Sequence, residues 1–457
     1  PYLLASGWKT GDIRDAMPLV EPSISDREWY TESLLNDAKA YSDTALVVIS
    51  RLMGEGGDCS KTSQPKDGPD GRTTADGRHF LEISTEEEEL LTYVGANYEN
   101  VIVLINTCNQ FELGFLDTVP GLDACMYVGY TGTRAASSLP KLLYGEVSPS
   151  GHTTDTFAYD LMTNPSAIWT GTSYTDGGSH LDKVAGIYVG YKWYETAYAE
   201  GLWSEENGYP GGYESVVQFP FGYGLSYTTF DWTVDDIKID GVSASEGAAL
   251  AANSKIEFTV TVTNTGESAG RDVVEIYCTA PYTDGGIEKS FVNLVGYGKT
   301  NEIQPQASET ITVTVDMYDV ASYDCYDKNE NGFAGYELDA GDYLFKLMTD
   351  CHNVKTVTYG AAPRDGSFSF NIPETLCIER DPVTGNVVKN LFTGDAAVDT
   401  LPIDGITDDY TPPIPYISRE DMPTPSESQA QYSEIAIRAK DTALASFDNM
   451  NMDRWIE

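Results

Sequence analysis

The sequence predicts an α/β layer sandwich with a mostly parallel sheet, followed by an all-β sandwich. Two continuous apolar runs, Thr44-Ala-Leu-Val-Val-Ile-Ser50 and Val101-Ile-Val-Leu-Ile105, have the signature of strands buried on both faces. Helical periodicities alternate with such runs over short connections, as parallel βαβ units require. Beyond residue 230 the pattern changes to short stretches of alternating polar and apolar residues separated by turn residues.

The chain's 457 residues have room for two or three domains with sizeable cores. Its 71 acidic and 28 basic residues give a net charge of −43. Such a field repels nucleic acid and anionic membrane surfaces, so neither is an expected partner, and neutral ligands suit it better. No run of about 18 apolar residues occurs, so no membrane span is expected. Seven cysteines without a CxxC pair argue against a zinc site or a dense disulfide framework, and four histidines scattered at 79, 152, 180 and 352 argue against a histidine-based metal centre. No cofactor is expected, and the cysteines leave room for one or two disulfides. The chain starts at Pro1, not Met, and is read as beginning mid-protein; a secreted or cell-surface protein is favoured and homo-oligomerisation stays open.

Residues 1–30 read as a lead-in. Between Ser25 and Tyr41, Trp29, Leu34, Leu35 and Ala38 recur at helical spacing and predict an amphipathic helix before the first strand. That strand runs into Arg51-Leu-Met-Gly-Glu-Gly-Gly-Asp58, a loop at the strand's carboxyl end, where open α/β sheets place their ligands. Gly54, Gly56 and Gly57 let the backbone approach a ligand closely and leave Glu55 projecting from a nearly bare turn. On these residues alone, a solvated turn carrying a surface glutamate is the plainer reading. Lys61 to Gly77, rich in Gly, Pro, Asp, Ser and Thr, reads as a long surface loop, a lid or a disordered segment. Thr85 to Glu88 forms a capping-box pattern opening the next helix, which accounts structurally for the Glu86–Glu89 run. Leu122 to Val128 reads as a third strand, and Gly129-Tyr-Thr-Gly132 leads to a helix over Ala135 to Tyr144. Right-handed crossovers bring the Glu55, Asn106 and Gly129 loops to one rim.

From Tyr159 to Gly212 aromatic residues cluster: Trp169, Tyr174, Tyr188, Tyr191, Trp193, Tyr194, Tyr198 and Trp203. Aromatic faces stack on sugar rings, and they also fill irregular cores; for each residue the second reading is at least as good. Asp231–Val234, Lys255–Asn264, Arg271–Thr279, Thr310–Val315 and Asp342–Thr349 then alternate as strands of a β-sandwich resembling fibronectin type III. Within it, Asp327-Lys-Asn-Glu-Asn-Gly332 matches the first half of a calcium loop. The glutamate expected at the twelfth position is instead Leu338, with Glu337 one place early, and a plain polar turn is the preferred reading. After Tyr359 the chain turns polar and proline-rich, and Tyr432 to Phe447 reads as a terminal helix.

Several stretches, in order, resemble family 3 glycoside hydrolases of the β-glucosidase type. They are Val47-Val-Ile-Ser-Arg-Leu-Met-Gly-Glu-Gly-Gly-Asp58, Val101-Ile-Val-Leu-Ile-Asn106, Pro149-Ser-Gly151, Gly186-Ile-Tyr-Val-Gly-Tyr-Lys-Trp-Tyr-Glu-Thr196 and Phe219-Pro-Phe-Gly-Tyr-Gly-Leu-Ser-Tyr-Thr-Thr-Phe230. The similarity spans residues 35 to 360. It implies an active site shared between a (β/α)8 barrel, which supplies an aspartate nucleophile, and the α/β sandwich, whose loop supplies the acid/base glutamate. By this resemblance Glu55 is the general acid/base, and Arg51 and Asp58 are substrate-binding residues. No barrel is present. Glu379-Arg-Asp-Pro-Val-Thr-Gly385 and Pro415-Tyr-Ile-Ser-Arg419 resemble the connection in members that place the barrel last. The chain is therefore expected to be a fragment whose nucleophile lies elsewhere.

The implied domains are the α/β sandwich over 1–227, the fibronectin-like sandwich over 228–362, and a linker with a terminal helix over 363–457. The implied partners are a β-glycoside or oligosaccharide and the barrel of the same protein. Two departures bear on activity: Asp58 is followed by Cys59 where the family has Arg, and Gly132-Thr-Arg-Ala-Ala136 replaces a Gly-x-Glu-Gly-Gly turn. They motivate the alternative of a non-catalytic carbohydrate-binding or surface-assembly protein of the same ancestry.

Overall fold

The computed structural model describes residues 21–51, 78, 81–132, 137–165, 185–390 and 417–425. Glu55, Asp58, the loop from Lys61 to Gly77, the turn over 133–136, Trp169, Tyr174 and the expected terminal helix lie outside the described residues. The chain forms two compact units, residues 1–143 with 157–161 and residues 144–156 with 162–457.

In the first unit, helix α1 (Glu32–Tyr41) starts at Thr31, whose Oγ1 accepts the Leu34 N–H at 3.1 Å. It buries none of its residues, so the apolar spacing of Leu34, Leu35 and Ala38 does not become a packed face. Strand β1 (Thr44–Ser50) pairs in parallel with β2 (Asn100–Asn106), residue for residue, and β2 with β3 (Ala124–Tyr127). Helix α2 (Thr85–Asn97) packs on β1 and β2 with Leu91 and Val94 buried. The short helices α3 (Phe115–Thr118) and α4 (Leu139–Leu143) and strand β4 (Phe157–Ala158) complete the unit.

The central strand β2 is buried at Val101, Val103, Leu104 and Ile105. β1 departs from the expected two-faced burial: Val47 and Ile49 are buried, whereas Leu46 is 51% and Val48 53% exposed. Among the described residues β1 lies at the end of the three-strand order and α2 packs on it, and its burial follows one face of the strand. The capping box also sits one residue earlier than predicted. Ser84, in extended backbone, accepts the Glu87 N–H at 3.1 Å, and Glu87 accepts the Ser84 N–H at 2.8 Å. Thr85 is already helical and cannot serve as the cap.

The second unit carries helix α5 (Tyr191–Ala199), the short β5 (Val217–Phe219) and two larger sheets. One is built from β6 (Phe230–Ile239) with its hairpin strand β7 (Val242–Ser243), β8 (Lys255–Asn264) and β11 (Ser308–Asp316), and from β15 (Thr356–Tyr359) and β16 (Ala362–Asp365). Its order is β11-β8-β6-β15-β16. The other contains β9 (Val273–Thr279), β10 (Asn293–Lys299), β14 (Gly341–Met348) and β17 (Ser367–Ile372), in the order β10-β9-β14-β17. A small antiparallel sheet joins β12 (Ser322–Asp324), β13 (Gly335–Leu338) and β18 (Leu376–Ile378).

The two large sheets share one core. Trp232, Val234, Phe258 and Val260 from one meet Ile276, Phe345, Leu347, Phe368 and Phe370 from the other. At roughly 1.5–3 kcal/mol per large apolar side chain buried, this core outweighs any surface contact of the unit. The alternation read along Lys255–Asn264 is the alternation of burial along β8.

Sequence alternation missed β10. Its Gly296 and Gly298 lie against Val313 and Ile311, where an added Cβ would stand 3.0 Å from Val313, and a bulge falls between Leu294 and Gly296. Glycines that admit a neighbouring strand leave no apolar signal of their own. β16 and β17 carry the sheets past residue 362, where the sequence reading began a linker; β17 pairs with β14 from Gly341↔Ile372 to Lys346↔Ser367.

The described aromatics before the sheets mostly serve as filling. Tyr188, Trp193 and Tyr194 are fully buried, Trp193 donates to the Thr163 carbonyl at 3.0 Å, and Trp203 donates to that of Tyr194 at 2.9 Å.

Candidate active site

The candidate site is built at the carboxyl ends of β1, β2 and β3, because a parallel sheet delivers all three strand-end loops to one edge. Tyr130 Oη donates to the Arg51 carbonyl at 2.6 Å, Asn106 Nδ2 to the Gly129 carbonyl at 2.5 Å, and Tyr127 Oη to the Thr107 carbonyl at 3.0 Å. Ser50 Oγ lies 3.4 Å from Asn106 Oδ1. The shared rim expected of these loops is thus present up to Arg51, the residue from which the glycine-rich loop departs.

Arg51 turns inward. Its side chain is 1% exposed, and its two terminal nitrogens each lie 2.7 Å from a different oxygen of Glu87. The same guanidinium donates to the Glu82 carbonyl at 2.6 Å and the Ser50 carbonyl at 2.9 Å, and stacks over Phe111 at 4.8 Å. A planar, two-pronged pairing of this kind holds direction as well as charge. At the other end of the loop, Arg78 donates to Glu88 at 2.5 Å and to the Ile83 carbonyl at 3.0 Å. Both stems of the segment 52–77 are therefore clamped to neighbouring glutamates in the first turn of α2. The acidic run that the sequence explained as helix capping is also a double anchor. The signal for it was an arginine on either side of the loop, and it becomes legible only once α2 is placed beside β1.

A second polar cluster, absent from the sequence reading, lies within the second unit. Glu275 is 5% exposed, accepts from Tyr277 Oη at 2.6 Å, and has His152 Nδ1 at 3.7 Å. Gly222, at φ +87°, lies so close that an added Cβ would stand 2.4 Å from Glu275 Oε2. Nearby, the 2% exposed Glu195 accepts from His352 at 3.0 Å, and Tyr213 stacks on the His352 ring with centroids 3.7 Å apart.

Burial, with the charges of Asp350 and Asp272, outweighs the Tyr277 hydrogen bond and raises the Glu275 carboxyl from 4.5 to about 8. Burial pulls His352 down, but the Glu195 hydrogen bond and charge, with Asp350 and Glu214, outweigh it and raise it above 6.5. Both folded groups hold protons that the unfolded chain has released. Their contribution is complete below the unfolded values and is lost as pH rises through the folded ones. The melting temperature of the chain is therefore expected to fall between pH 5 and pH 8.5, and Glu275→Gln to flatten most of that slope. An unchanged slope in the variant would show that Glu275 titrates normally.

Residues 14–227 match the Glycosyl hydrolase family 3 C-terminal domain. Beta-glucosidase A of Butyrivibrio fibrisolvens is 30% identical over 357 residues, 74% of this chain and 40% of that protein. A beta-glucosidase of Ruminococcus albus is 30% identical over 384 residues, 83% of this chain and 32% of that one. The crystal structure of a beta-glucosidase from Paenibacillus barengoltzii matches with a TM-score of 0.58 at 29% identity, over 75% of this chain and 33% of the other. The chain spans about a third to two fifths of the length of these relatives. Residues 14–227 therefore belong to glycosyl hydrolase family 3, as its C-terminal domain.

Proposed function

We propose that this chain supplies the acid/base half of a retaining, exo-acting glycoside hydrolase that cleaves terminal β-linked sugars, as a β-glucosidase does. The observation that carries this reading is the loop Gly54-Glu-Gly-Gly-Asp58, which leaves the carboxyl end of β1 in a domain of this family with its stem held by the buried Arg51–Glu87 pair. In this reading Glu55 is the general acid/base, and Asp58 is a substrate-binding residue whose carboxylate can accept from sugar hydroxyls. Arg51 serves substrate binding at one remove, by positioning the loop through Glu87. The proposed domain order is the α/β sandwich, then a fibronectin type III-like sandwich whose sheets run on to Ile372, past the boundary at 362 expected from the sequence, and then a connection towards a barrel.

Glycoside cleavage needs one carboxyl to protonate the leaving oxygen and another to attack the anomeric carbon from the opposite face. Glu55 protonates the glycosidic oxygen; a barrel aspartate forms the glycosyl ester; Glu55 then deprotonates the water that releases the sugar with its configuration retained. Retention of configuration requires the two carboxyls to be about 5–5.5 Å apart, which is the spacing this reading expects between Glu55 and the barrel aspartate. An acid that works near neutral pH needs a raised pKa, which burial and a neighbouring negative charge supply in general.

The chain alone is expected not to turn over aryl β-glucosides, and the protein that joins it to its barrel is expected to do so. Turnover by the chain alone at a rate comparable with the joined protein would overturn the division of the site between two domains.

A further inference from the structure

We infer that the turn joining β12 to β13 is a binding site for a hard divalent cation of the calcium class. Asp327, Asn329, Asn331 and Gly332 stand at the first, third, fifth and sixth positions of an oxygen-ligand loop. The backbone supports that reading. Gly332 is at φ +83° and its N–H donates to both carboxylate oxygens of Asp327 at 3.1 Å, while Asn329 Oδ1 and Asn331 Oδ1 accept N–H groups of the loop from Asn331 and Phe333.

Turn geometry alone does not make a site; the buried carboxylates beside it do. Glu337 is 1% exposed; its Oε2 accepts from the Asn329 and Asn331 amides at 2.7 Å each, and its Oε1, fully enclosed, has no hydrogen-bond partner. Asp324 is 2% exposed and accepts the N–H groups of Tyr326 at 3.0 Å and Lys328 at 2.6 Å. Among the described residues no Lys, Arg or His pairs with Asp324, Asp327 or Glu337. Buried carboxylates are ordinarily paired or bound to metal, because an uncompensated charge in the interior is costly.

The antiparallel register resolves the spacing that argued against calcium in the sequence. β12 pairs Ser322 with Glu337 and Asp324 with Gly335, so Asp324 and Glu337 share one face of the hairpin. β13 thereby returns Glu337 to Asn329 and Asn331 although it is one place early in the count. Among the described residues no group of three His, Cys, Asp or Glu side chains is placed to hold a metal ion, so the proposed site depends on the amide oxygens of Asn329 and Asn331 as well as on the Asp327 and Glu337 carboxylates. Carboxylate and amide oxygens suit calcium rather than zinc; the nearby Cys377 Sγ accepts from Asn331 Nδ2 at 3.6 Å and is not one of the proposed ligands. The bound cation would tie the β12–β13 hairpin together and, through β13, hold β18.

The test uses the whole chain after treatment with a chelator. Terbium is expected to bind and to luminesce on excitation of tyrosine, since Tyr323, Tyr326 and Tyr336 border the loop, and calcium is expected to displace it. Calcium at millimolar concentration is expected to raise the melting temperature by several degrees, and magnesium by less. Glu337→Gln and the less disruptive Asp327→Asn are each expected to abolish both signals while the chain still melts cooperatively. Absence of terbium luminescence and of any calcium-dependent shift up to about 10 mM in the unaltered chain would overturn the site. So would signals that persist in both variants.

Discussion

Glu55→Ala in the barrel-bearing protein is expected to lower turnover of substrates with poor leaving groups by about 10²–10⁴-fold, the usual worth of a positioned proton donor. Activated aryl glycosides leave without protonation, so their first step is expected to survive, and the glycosyl-enzyme then accumulates because no base activates water. Azide needs no base; it is expected to restore turnover and to yield the β-glycosyl azide. This combination separates loss of the acid/base from simple unfolding, since an unfolded enzyme is not rescued by a nucleophile. Wild-type rates in the variant, or lost activity without azide rescue, would remove Glu55 from the role.

Arg51→Met is expected to cost about 3–5 kcal/mol, because it leaves Glu87 buried and unpaired rather than merely deleting a contact. The Arg51 side chain is 1% and that of Glu87 7% exposed, so water does not replace the lost partner cheaply. The double variant Arg51→Met/Glu87→Leu is expected to recover part of the loss, less the contribution of the Ser84 N–H bond to Glu87 that it also removes, which a denaturant melt of the chain can measure. In the complete enzyme the double variant should still differ from wild type, since the loop stem keeps its fold but loses its two-pronged anchor. A melt unchanged by Arg51→Met would show that the pair contributes nothing to the unit.

The β8 strand was legible because its period of two is also its burial pattern, and the parallel pair β1–β2 because an apolar run of that length has few alternatives. β10 was not, because Gly296 and Gly298 carry their information in what they leave room for. Ser84 was displaced by Thr85 in the reading of the cap because both residue types serve; the backbone decides which is outside the helix. Leu46 and Val48 looked like core because sequence records apolarity and says nothing about whether a helix arrives to cover it.

By itself, the sequence carried the family 3 resemblance of residues 14–227 and the parallel strands that form the rim, and it sets Glu55 in the chain shortly after Arg51. These depend on local pattern and on motifs contiguous in the chain. Only the tertiary structure decided that Arg51 faces Glu87, that Arg78 closes the same loop onto Glu88, and that Glu337 returns to Asn329 and Asn331. Arg51 and Glu87 are 36 residues apart in the chain. The attraction between such groups is felt only within a few ångströms in a water-poor interior, so it does not exist until the helix and strands have packed.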